Sequence, residues 1–127
     1  MDQSREGGLL AWQFRIYANG HRDRRSLAVH AVTVPLFVAG SCGVGLAPFI
    51  GPWLLFFAVP AVAVPLVLQG RGHRLESTRP EPFRGPGDFV ARIFVEQWVT
   101  FPRYVMSGGF SRAWRANGAS AERPRPR

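Results

Sequence analysis

SLAVHAVTVPLFVAGSCGVGLAPFIGPWLLFFAVPAVAVPLVLQG, Ser26 to Gly70, runs for 45 residues without an Asp, Glu, Lys or Arg. A bilayer core of about 30 Å is crossed by about 20 apolar residues in a helix, so this stretch has room for two passes. The first is SLAVHAVTVPLFVAGSCGVGL, the second is WLLFFAVPAVAVPLVL from Trp53 to Leu68, and APFIGP from Ala47 to Pro52 turns the chain between them. A soluble helix sets a charged residue every few positions on its wet face. The fold class is therefore read as all-α, a membrane helical hairpin of two apolar helices over about 26–70. The second segment has only sixteen residues and carries Pro60 and Pro65. Neighbouring helices can cover the backbone groups that such prolines release, and the sequence does not separate a full span from a deep or re-entrant embedding.

Charge sets the orientation. Arg22, Arg24 and Arg25 precede the uncharged stretch and Arg71, Arg74, Arg79 and Arg84 follow it, whereas the turn between the segments is uncharged. The positive-inside rule then places both termini in the cytoplasm, with the chain an integral membrane protein. The formal net charge is +8, and every one of the 16 basic residues is an arginine. These arginines flank apolar segments, where they meet anionic headgroups, and no DNA- or RNA-binding motif accompanies them, so no nucleic acid partner is expected. Cys42 is the only cysteine, which excludes an internal disulfide and a thiolate metal cluster. It lies among Gly40, Gly43 and Gly45, small residues that let helices approach closely. The apolar surface allows a homo-oligomer without specifying one. Met1 to Arg25 has no apolar core of the signal-peptide kind, which argues against a cleaved leader.

The segments on either side complete a single domain over 1–116. LLAWQFRIY, Leu9 to Tyr17, reads as an interfacial N-terminal helix with Trp12 and Tyr17 at headgroup depth, ended by an Asn19-Gly20 turn. After the apolar pair, RPEPFRGPGD is a loop, and Asp88 is placed to cap an amphipathic C-terminal helix over about 88–105. Arg92, Glu96, Thr100 and Arg103 mark its polar side, with Arg92 and Glu96 spaced to pair at i, i+4, and Val90, Ile93, Phe94, Trp98, Phe101 and Val105 its apolar side. Pro102 should kink or end it. NGASAERPRPR, 117–127, has the composition of a disordered tail.

All three histidines, His21, His30 and His73, fall near one end of the apolar pair. Both rims of that pair lie on one side, so the three can converge. His21 and His30 are nine apart, on opposite faces of a continuous helix, and so can share a ligand only if the chain turns between them. HRDRRS allows that turn, with Asp23 or Ser26 ready to cap a new helix. Glu76 follows His73 by three residues, which on a helix puts both on one face. Histidines with a carboxylate and no thiolate suit divalent iron, zinc or copper and leave positions open for water or substrate.

YANGHRDRRSLAVHAVTVP, Tyr17 to Pro35, resembles the opening block of the 2-hydroxy fatty acid dioxygenase family, small membrane proteins of fungal fatty-acid α-oxidation with many bacterial relatives. His21, His30, Val34 and Pro35 match its two histidines nine apart and its Val-Pro. QGRGHRLESTRP, Gln69 to Pro80, is similar to a second block, matching at Gln69, Gly72, His73, Glu76 and Pro80. Asp23 and Ser26 stand where that family has asparagines and Arg24 where it has proline, Glu76 comes one residue early, and the chain has one apolar pair where larger members have two. The resemblance implies a membrane-bound Fe(II)-dependent dioxygenase that shortens a 2-hydroxy fatty acid by one carbon; zinc, in a hydrolase acting on a lipid head, is the alternative metal. The resemblance implies His21, His30 and His73 as metal ligands, and Glu76 as a fourth ligand or an acceptor orienting a histidine. Arg22, Arg25 or Arg74 would hold the carboxylate of the fatty-acid-like substrate, whose tail would lie in the lipid bilayer or between the helices. The competing expectation is a non-catalytic small integral membrane protein that binds lipid or a partner subunit.

Overall fold

The computed structural model describes residues 5–121, and all the regular structure among them is helical. The helices are α1 (Gly8–Gly20), α2 (Arg24–Ile50), α3 (Leu55–His73), α4 (Pro86–Val95), α5 (Phe101–Met106) and α6 (Gly109–Ala121). A 3-10 turn, Pro52–Leu54, leads into α3, and a π-helical turn, Glu96–Thr100, joins α4 to α5. Helix α2 and the segment Pro52–His73 are each long and apolar enough to cross a membrane.

Small residues bring α2 and α3 together. A Cβ on Gly40 would stand 2.8 Å from the backbone carbon of Ala61, and one on Gly43 would stand 2.9 Å from Cβ of Ala58. Near the other end Gly72 faces Ser26, so the two helices run antiparallel. The reversal is tighter than the six-residue turn expected from Ala47 to Pro52, because α2 continues to Ile50 and breaks only at Gly51. That residue has φ 147° and ψ 148°, a region open to glycine alone without strain, and the Trp53 ring occupies the place a side chain would take. Pro52 then starts the next turn, where its missing N–H costs nothing.

The bundle is apolar outside, and its interior sets a polar group beside the buried Leu27, Val34, Phe37 and Phe101. Phe49 is 85% exposed and Phe56 79%, while Ser26, His30, Thr33, Gln69, Gln97 and Thr100 are buried. Thr33, Gln69 and Gln97 join α2, α3 and the π-turn through buried hydrogen bonds. The Gln69 amide donates to Thr33 Oγ1 at 2.8 Å, and the Gln97 amide donates to Gln69 Oε1 at 2.6 Å. The segment from α4 to α5 follows the same inverted pattern: Val90, Phe94, Trp98 and Val105 point outward, and Arg92, Gln97 and Thr100 point in.

Pro102 explains the π-turn. It has no N–H to offer the Trp98 carbonyl and its ring crowds that carbonyl. The helix widens by one residue ahead of it, so that the Phe101 N–H reaches back five residues to the Glu96 carbonyl. The expected kink therefore becomes a bulge that begins at Glu96, a half-buried residue whose Oε1 is out of contact with solvent, and such bulges recur at functional sites.

Local boundaries move for identifiable reasons. Asn19 and Gly20 stay in α1 because His21, directly after them, stacks on Tyr17 with centroids 3.8 Å apart and donates from Nδ1 to the Tyr17 carbonyl at 2.9 Å. Asp88 lies in the first turn of α4 rather than at its cap, which is Gly85. Its carboxylate accepts from the Arg84 N–H at 3.0 Å and forms a two-pronged ion pair with Arg5. Helix α6 continues to Ala121, through the first part of the segment whose composition suggested a tail, and 122–127 lie outside the described residues.

A candidate metal centre

Each histidine of the site comes from a helix end or from one turn inside it. His21 caps the C-terminus of α1, His30 lies in the second turn of α2, and His73 is the last residue of α3. Between His21 and His30 the chain does turn. Asp23 is the N-cap of α2, its carboxylate accepting from the Arg25 N–H at 2.8 Å. The turn removes the opposition that nine residues of continuous helix would impose. Ring centroids are 4.6 Å apart for His21 and His30, 4.9 Å for His21 and His73, and 5.2 Å for His30 and His73.

The carboxylate that joins them is Glu96, the first residue of the π-turn. Its Oε1 lies 3.3 Å from His30 Nε2 and 3.6 Å from His21 Nε2. One ligand atom from each of His21, His30, His73 and Glu96 falls within 4.8 Å of all the others, so the group could hold a metal ion.

The backbone fixes the protons. The His21 Nδ1 is 2.9 Å from the Tyr17 carbonyl and the His30 Nδ1 is 2.9 Å from the Ser26 carbonyl. A carbonyl oxygen only accepts, so each Nδ1 carries the hydrogen. In the neutral rings both Nε2 atoms therefore present lone pairs, and these face one another at 3.3 Å. Such an arrangement requires a cation between the rings or a proton on one of them. Histidine ligands of metals ordinarily have their other nitrogen held in this way.

Glu96 Oε1 is buried and accepts no hydrogen bond from a neutral site. Burial pushes this carboxyl up, and a proton on His21 or His30 would outweigh burial and hold it well below the usual carboxylate range. A carboxylate beside two imidazole lone pairs is also the donor set of a divalent cation. Three nitrogens and one oxygen without thiolate suit iron or zinc, and the donor set alone does not choose between them.

Glu76 has a different place. Helix α3 ends at His73, so the three-residue spacing is not helical, and the Glu76 carboxylate turns to the α1–α2 turn. It accepts from the Arg22 N–H at 2.9 Å and the Asp23 N–H at 3.1 Å. It thereby ties the segment that carries His21 to the end of the helix that carries His73. The arginines expected at the substrate are exposed. Arg22 donates to Asn19, Arg25 pairs with Asp23, and Arg74 caps α3.

A cavity of about 310 Å³ opens onto the cluster, with His21, His73 and Glu96 in its wall and Gln69 and Leu66 of α3 beside them. This is at the small end of ligand-pocket volumes. Arg92 lines it as well, a residue that the sequence placed on the polar side of its helix and offered as a partner for Glu96. It turns instead towards Asp88, with Nη1 3.9 Å from the carboxylate, and donates from Nη1 to the carbonyls of Glu81 and Pro82 at 2.9 and 3.0 Å. The signal for Glu96 was present in its phase with Arg92 and Thr100, a polar stripe on a helix whose other side is strongly apolar. No known family model, curated protein or solved structure matches the chain.

Proposed function

We propose that the protein is a membrane-embedded Fe(II)-dependent oxygenase acting on 2-hydroxy fatty acids, with His21, His30, His73 and Glu96 holding the metal. The observation that carries this reading is the pair of backbone-fixed imidazoles whose Nε2 atoms converge on the Glu96 carboxylate in the wall of a cavity. When bound, the iron would supply positions at which dioxygen and the hydroxyl and carboxylate of the substrate meet, and the redox change that one-carbon shortening demands.

The chain's residues do the rest. Tyr17 and Ser26 hold the two imidazoles in one tautomer through their carbonyls, Glu76 locks the turn that bears His21, and the π-turn keeps Glu96 aimed inward. The exposed apolar belt on α2, α3 and α4 supports embedding in lipid, since so continuous an apolar surface is unfavourable in water. In that setting α2 and α3 form the membrane hairpin, and α1 lies at the interface. The long tail of a substrate leaves the small cavity along α3 into the bilayer. Both termini are then cytoplasmic, by the arginine asymmetry.

Elemental analysis of detergent-purified protein beside His30→Ala tests the reading. About one iron per chain, lost in the variant, together with oxygen uptake on adding a 2-hydroxy fatty acid, is the expected result. Zinc without oxygen uptake would sink the oxygenase and leave a hydrolytic centre. No metal in either sample would leave a non-catalytic small integral membrane protein.

A further inference from the structure

We propose that Arg92, with Tyr17 and Gln13, forms an anion-recognition subsite that holds the acidic head of an amphiphile beside the histidine–carboxylate cluster. The proposal deepens the functional reading above and rests on the same cavity.

Unpaired polar atoms concentrate there. Among the described residues, Arg92 Nε, Tyr17 Oη, Gln13 Oε1 and Glu96 Oε1 are all buried without a hydrogen-bond partner, and all four residues line the one cavity. A buried polar atom left unpaired costs about 1–3 kcal/mol, so Arg92 Nε, Tyr17 Oη and Gln13 Oε1, three around one space, call for an occupant that satisfies them together. Their chemistry specifies it. Arg92 Nε is a cationic donor, and the Tyr17 phenol O–H is a donor. Gln13 Oε1 is an acceptor. Two donors and one acceptor suit an acid oxygen pair with an adjacent hydroxyl.

The guanidinium is held in place before any ligand arrives. Its Cζ lies over Phe83 at 4.4 Å and Trp12 at 5.1 Å, and Nη1 is engaged by two loop carbonyls, while Nε is buried without a partner. An arginine fixed this way loses little freedom when it takes an acid group. Asp88, its nearest carboxylate, is already engaged by Arg5 and the Arg84 N–H.

The test uses chelator-stripped protein in lipid nanodiscs, so that metal cannot supply the attraction. Octanoate, octyl phosphate and methyl octanoate are titrated against the fluorescence of Trp12, with Trp12→Phe identifying its signal. Wild type is expected to bind one of the two acids at least about tenfold more tightly than the ester, as a single charge-assisted contact gives. Arg92→Gln should lose that preference and Arg74→Gln should keep it, and the better acid identifies a carboxylate or a phosphate head. Equal binding of acids and ester by wild type overturns the proposal without any variant. So does an acid preference that survives in folded Arg92→Gln or disappears in Arg74→Gln. Arg92→Lys, which keeps the charge but not Nε, should recover part of the preference. An acid preference in a chain that takes up no iron would leave the subsite standing and remove the oxygenase.

Discussion

Replacing Gly40 by alanine tests whether the contact between α2 and α3 governs the metal centre. The added Cβ would lie 2.8 Å from both the backbone carbon and the Cβ of Ala61 and 3.0 Å from the Ala58 carbonyl oxygen. Carbon atoms pack at about 3.5–4.0 Å, so the helices must part by about 0.7 Å or more at this point. The obstructing atoms are backbone and an alanine Cβ, none of which can rotate away. Overpacking of this kind costs about 1–3 kcal/mol. Gly45→Ala, on the same helix, meets nothing within 4 Å and should gain up to about 1 kcal/mol from helix propensity. The two single-methyl variants thus differ by about 1–4 kcal/mol. His30 on α2 and His73 on α3 share a site whose ligand distances tolerate only about 0.2 Å, so the parting of the helices should also weaken metal binding by tenfold or more. Reversible unfolding in bicelles gives the stability difference, and competition with a chelating dye gives the affinity. Equal stability and equal metal affinity for the two alanine variants would refute the argument that this crossing sets the distance between the histidines.

The two glutamates separate in the same assays. Glu96→Gln should abolish stoichiometric metal, because it removes the one anionic donor, while Glu76→Gln should retain metal at about 10- to 100-fold lower affinity, as loss of a supporting contact does. The reverse order, with Glu76→Gln empty and Glu96→Gln full, would return the ligand role to Glu76. The Arg5–Asp88 pair predicts a pH response. Arg5 and the Arg84 N–H hold the Asp88 carboxyl well below the usual range, so its contribution is complete above the unfolded value of about 3.9. It is lost as pH falls through the lower folded value. Hydrogen exchange at the start of α4 should therefore stay slow down to about pH 4 and rise below it, and Asp88→Asn should show the fast exchange already at neutral pH. Slow exchange in that variant would show that the pair does not anchor this end.

The sequence by itself determined the helical class and the two long apolar helices, since 45 residues without a charge leave few other structures, and the backbone in such a stretch must satisfy its own hydrogen bonds. It also determined which histidines could meet, because a cap at Asp23 and the two rims of the apolar pair follow from local spacing. The carboxylate is another matter. Glu76 is near His73 in the chain and Glu96 is twenty residues further on, and proximity in sequence favoured the nearer. Only the tertiary structure sends Glu76 to the α1–α2 turn and brings Glu96 inward, because α3 ends at His73 and the π-turn before Pro102 resets the phase of the later helix. Arg92 shows the same limit. Its spacing from Asp88 and Glu96 allows either partner, and its role depends on Trp12 and Phe83, which pack around it from two other segments. Local periodicity fixes which side of a helix a residue occupies, whereas the neighbour across the bundle is fixed by how distant helices cross.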